Sequence, residues 1–61
     1  MEWSEINCII EALEALIEKY NKLLENGAQS EDEKSDTSND LAYAEVLLGK
    51  YEDMRTKAAQ G

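Results

Sequence analysis

The chain has no histidine, no proline and no phenylalanine, and it has a single cysteine, Cys8. Each absence removes a possibility. One cysteine cannot form an internal disulfide. One cysteine without histidine also lacks the ligand set of a structural zinc site. Cys8 has no imidazole to activate it as a nucleophile, so its plain role is a small, partly buried side chain. Without proline, no ring interrupts a helix. Basic residues are scarce as well: six Lys and Arg face fourteen Asp and Glu, a net charge of -8. That balance repels phosphate, which disfavours direct nucleic-acid binding and docking on anionic membranes. It favours a basic protein as partner. No apolar run approaches the length of a membrane span. Glu2 and Glu5 stand where a signal peptide would be basic. A lone cysteine and no targeting signal suit the cytoplasm.

At 61 residues the chain is expected to form one small domain, residues 1–61. Domains this short bury too little surface to be more than marginally stable alone. Disulfides, a metal or oligomerisation usually make up the difference. With the first two removed, self-association or docking on another protein is left.

What the sequence does contain is helical periodicity. Ile6, Ile9, Leu13, Leu16, Tyr20 and Leu23 recur at steps of three and four. Ile10, Ile17 and Leu24 add a third apolar position to each heptad, and Trp3 continues that series backwards. This is the wide stripe of a core-facing helix. Ser4 suits an N-cap, and Gly27 after Asn26 suits a left-handed stop. A helix over about 5–25 follows. A second stripe runs through Leu41, Ala44, Leu47, Leu48, Tyr51, Met54 and Ala58, with Tyr43 at its edge. It predicts a helix over about 39–58, capped by Ser38 or Asn39. Glu18 with Lys22, and Asp53 with Lys57, are well-oriented i,i+4 pairs. Gly49 falls mid-helix beside Ala42 and Val46. It is either a tolerated surface glycine or part of a flat strip that admits another backbone.

Between the stripes lies SEDEKSDTSND, Ser30 to Asp40, with five carboxylates and no apolar side chain. Its Ser, Asp, Thr and Asn side chains compete with helical hydrogen bonding. Composition therefore favours an irregular polar linker over about 27–38. Ser30-Glu-Asp-Glu33 also reads as a capping box, which would start the second helix at 31. Asp36, Ser38 and Asp40 alternate like the first ligands of a calcium loop. The glycine and glutamate that such a loop requires are replaced by Leu41 and Leu47.

The expected fold is all-α: a helical hairpin of two antiparallel helices, dimerising into a four-helix bundle with coiled-coil-like heptads. Two helices bury a narrow seam and leave Ile10, Ile17, Leu24 and Trp3 wet. The residues expected to carry self-association are Ile6, Ile9, Ile10, Leu13, Leu16, Ile17, Tyr20, Leu24, Leu47, Leu48, Tyr51 and Met54. Glu11, Glu14, Glu18 and Glu25 form an acidic stripe on the wet face of the first helix. It is either a solvated face or a docking surface for a basic, nucleic-acid-binding protein, with spaced carboxylates imitating a phosphate backbone.

One acidic pattern points elsewhere. Glu11-Ala-Leu-Glu14 followed by Glu33-Lys-Ser-Asp36 resembles, in its acidic spacing alone, the paired ExxE and ExxD motifs of MazG-like nucleotide pyrophosphohydrolases. That resemblance implies magnesium held between carboxylates on facing helices. The residues themselves imply no catalytic group and no cofactor. They point to a non-enzymatic regulatory or inhibitory protein whose first partner is a second copy of itself.

Overall fold

The computed structural model describes residues 2–60. It is a hairpin of two helices, α1 over Trp3–Asn26 and α2 over Glu31–Gln60. The two pack antiparallel along their length. The radius of gyration is 14.0 Å, against about 10.5 Å for a compact domain of this length. The molecule is a rod with extents of 46 × 14 × 13 Å.

Local chemistry sets the ends of α1. Its N-cap is Glu2, in extended conformation, and the Glu2 N–H donates to Glu5 Oε1 at 3.3 Å. Ser4, the expected cap, lies instead inside the first turn. The carboxylate at Glu5 satisfies a donor that the helix start would otherwise leave free. At the other end Gly27 adopts φ 71°, the left-handed conformation of a C-cap.

The second helix departs from expectation. It begins at Glu31, so the linker expected over about 27–38 shrinks to Gly27–Ser30. Ser30 is the reason. Its Oγ accepts the Glu33 N–H at 3.3 Å, and its carbonyl accepts the Lys34 N–H at 2.9 Å. Glu31, Asp32 and Glu33 then occupy the first turn, where carboxylates oppose the positive end of the helix dipole. The charges that look like a solvated loop are favourable at a helix start.

The two helices differ in length, and the loop takes up the difference. The Arg55 Nη1 donates to Asn7 Oδ1 at 2.9 Å, which fixes the register at the open end. From that contact α1 runs 19 residues to Asn26, while α2 runs 24 residues back to Glu31. At 1.5 Å per residue, α2 overshoots by about 7 Å. The loop climbs along this overshoot. Gln29 Nε2 donates to Thr37 Oγ1 at 3.0 Å, and Thr37 is buried under the loop. Gln29 Oε1 is itself buried without a partner, a local cost of about 1–3 kcal/mol.

The seam between the helices is thin. Among the described residues its buried apolar side chains are Ile6, Ile10 and Ala44, with Ile6 and Ile10 at 2% and 1% exposure. Ile10, expected to be wet, is therefore in the seam. The apolar centre of α1 is rotated toward Ile6, Ile10 and Ile17, and Ala44 is the buried apolar residue that α2 contributes. Ile17 and Leu24, also expected wet, are half-buried. Trp3 stays 49% exposed, as expected.

Candidate interaction surface

The seam's rotation decides which residues are left over. Ile9, Leu16 and Leu23 sit on one flank of the α1 seam, seven residues apart, and all three are only half-buried. On α2 the corresponding flank carries Tyr43, Leu47 and Met54. Tyr43 is 67% exposed, while Leu47 and Met54 are half-buried. Two right-handed helices running antiparallel turn these flanks toward the same side of the hairpin. They form an apolar ribbon over Ile9 to Leu23 of α1 and Tyr43 to Met54 of α2, which ends toward the loop at the exposed Asp40, one heptad before Leu47. Leu13, Tyr20 and Tyr51 lie between the ribbon and the seam, also half-buried.

The residues expected to carry association thus separate into three groups. Ile6 and Ile10 are consumed inside the hairpin. Ile17, Leu24 and Leu48 lie near the seam or beyond its other edge. Ile9, Leu13, Leu16, Tyr20, Leu47, Tyr51 and Met54 remain on or beside the ribbon. Leu23 and Tyr43 were singled out as stripe residues but not as association residues. Only the placement of the seam on the Ile6 and Ile10 side of α1 brings them to the ribbon.

Glu11, Glu14, Glu18 and Glu25 are all exposed, and they lie roughly half a turn around α1 from Ile9, Leu16 and Leu23. The acidic ridge and the apolar ribbon therefore face away from each other. Glu18 is engaged with Lys22 at 3.2 Å, and Asp53 with Lys57 at 3.0 Å, the two i,i+4 pairs read from the sequence. A shallow groove on the outer face of α1 is lined by Ala15, Glu18, Lys19, Lys22, Leu23 and Asn26. It has no buried polar group to orient a ligand.

Among the described residues carboxylates do not converge elsewhere. Glu11 and Glu14 are on α1 toward the open end, whereas Glu33 and Asp36 are in the first two turns of α2, at the loop end. All four are exposed, so the paired acidic motif is not assembled within the hairpin. Asp36, Ser38 and Asp40 are on a helix, where alternate residues point about 200° apart. Among the described residues no group of three His, Cys, Asp or Glu side chains could hold a metal ion. Cys8 is free and exposed, rather than partly buried. Among those residues no helix is long and apolar enough to cross a membrane.

No family model, curated protein or solved structure matches this chain. The surface of the hairpin is the basis for any reading of function.

Proposed function

We propose that this chain is a non-enzymatic interaction protein that works as a homo-oligomer, its hairpins joined through the apolar ribbon into a helical bundle. The carrying observation is the ribbon itself. Ile9, Leu16, Leu23, Leu47 and Met54 line one face of the rod and are covered only in part by its own seam, and Tyr43 beside them is exposed. The accessible surface is 4417 Å², against about 4000 Å² for a compact monomer of this mass. A continuous apolar strip on so small a protein is an association surface. With the ribbon covered, the acidic exterior would be the face shown to other molecules, in a regulatory role within the cytoplasm. The test is mass in solution by light scattering across a wide concentration range. A stable oligomer supports the reading, and a monomer at every concentration removes it.

The exposed acidic ridge favours a second reading, in which the protein sequesters a basic, nucleic-acid-binding protein. Ridge and ribbon face opposite ways, so both could be occupied together. On this reading, binding to a basic partner weakens steeply with salt. Changing Glu11, Glu14 and Glu18 together to Gln abolishes it. Binding that ignores both would eliminate the idea. The magnesium-dependent hydrolase implied by the acidic spacing would need Glu11 and Glu14 of one hairpin to meet Glu33 and Asp36 of another.

A further inference from the structure

We infer that the second copy lies antiparallel on the ribbon, with the two loop tips at opposite ends and the two-fold axis passing beside Leu16 and Leu47. The inference rests on the self-association proposed above and adds its geometry.

The first argument is register. From the Asn7–Arg55 contact it is nine residues along α1 to Leu16 and eight back along α2 to Leu47. The two leucines therefore lie at about the same height on the rod, within roughly one helical turn. Ile9 and Leu23 are each seven residues from Leu16. A two-fold axis across the rod at Leu16 thus superposes Ile9 of one copy on Leu23 of the other and sets Leu16 against itself. An isologous interface requires this kind of self-complementarity, which the α1 half of the ribbon supplies, while on α2 the same axis sets Met54 of one copy opposite Asp40 of the other.

Charge supplies the second argument. The loop tip, residues 27–40, holds five acids (Glu31, Asp32, Glu33, Asp36, Asp40) and one base (Lys34), a net of -4. The open end, residues 2–8 and 50–57, holds four acids (Glu2, Glu5, Glu52, Asp53) and three bases (Lys50, Arg55, Lys57), a net of -1. Packing tip beside tip would place two strongly acidic segments together. Packing tip beside open end avoids this. It also brings the Asp36 and Asp40 region of one α2 toward the Lys50 to Lys57 region of the other.

Area is the third. The face measures 46 by 14 Å, or roughly 640 Å² in flat projection before side-chain relief is added. A standard specific interface uses about 800 Å² per partner, so a dimer needs most of this face. Area therefore requires the two rods to lie face to face over their full length, and register and charge choose the direction.

The test uses the full chain carrying Cys8→Ser and Ala28→Cys, both at exposed positions, with a nitroxide on the introduced thiol. Light scattering gives the mass, and electron–electron dipolar spectroscopy gives the distance between tips. The expected result is a dimer whose labels are separated by nearly the 46 Å length of the rod. A dimer with labels within about 20 Å, two helix diameters, overturns the orientation and leaves self-association standing. A monomer overturns both. A larger oligomer containing a short tip-to-tip distance overturns the antiparallel pair.

Discussion

Two glycines show how one residue type takes opposite roles. Gly27 ends α1 at φ 71°, where an ideal Cβ meets nothing within 4 Å. A side chain there is opposed by backbone conformation alone. Gly49 sits inside α2 with ordinary helical geometry, and a Cβ added there also meets nothing within 4 Å. No neighbouring backbone of the hairpin occupies the strip beside Ala42 and Val46. Gly27→Ala should therefore destabilise by roughly 1–2 kcal/mol. Gly49→Ala should stabilise by about 1 kcal/mol, raising the melting temperature by roughly 4–8 °C. Thermal unfolding followed by circular dichroism at one fixed concentration checks both signs. A loss of stability in Gly49→Ala would mean that a backbone from another chain does pack on that strip.

At the scale of the helix, α1 was legible because its apolar steps, its terminal glycine and its polar face all agree. The Asp53–Lys57 and Glu18–Lys22 pairs were legible for the same reason, since spacing alone decides them. The start of α2 was legible only as an alternative. Residues 30–40 hold poor helix formers, and propensity weighs each residue separately. The cap, the first-turn acids and the loop folded back over Thr37 act together, and they outweigh those propensities. The side on which Ile10 would fall was not readable. A stripe about 160° wide does not say where the partner helix will sit. That is set only once α2 packs against it, burying Ile6 and Ile10 from one helix and Ala44 from the other. The Asn7–Arg55 bond was equally hidden, because it links residues 48 apart and needs the register first.

For the whole molecule, the decisive quantity is how little the hairpin buries. Among the described residues the buried apolar side chains are Ile6, Ile10 and Ala44. Such a seam cannot carry much stability, so a bundle would draw a large part of its folding free energy from the second copy. Stability should then depend on concentration, because dilution favours separated and unfolded chains. The melting temperature of the wild-type protein is expected to rise over a hundredfold increase in concentration. Leu16→Asp should remove that rise. The leucine is half-buried in the hairpin but self-paired across the proposed axis, so the substitution sets two carboxylates against each other. It also forfeits about 2 kcal/mol of apolar burial per chain. The variant should be monomeric, melt lower, and melt at one temperature whatever its concentration. A wild-type melting temperature already independent of concentration would mean that the hairpin stands alone despite its thin seam, with its ribbon open to a different protein.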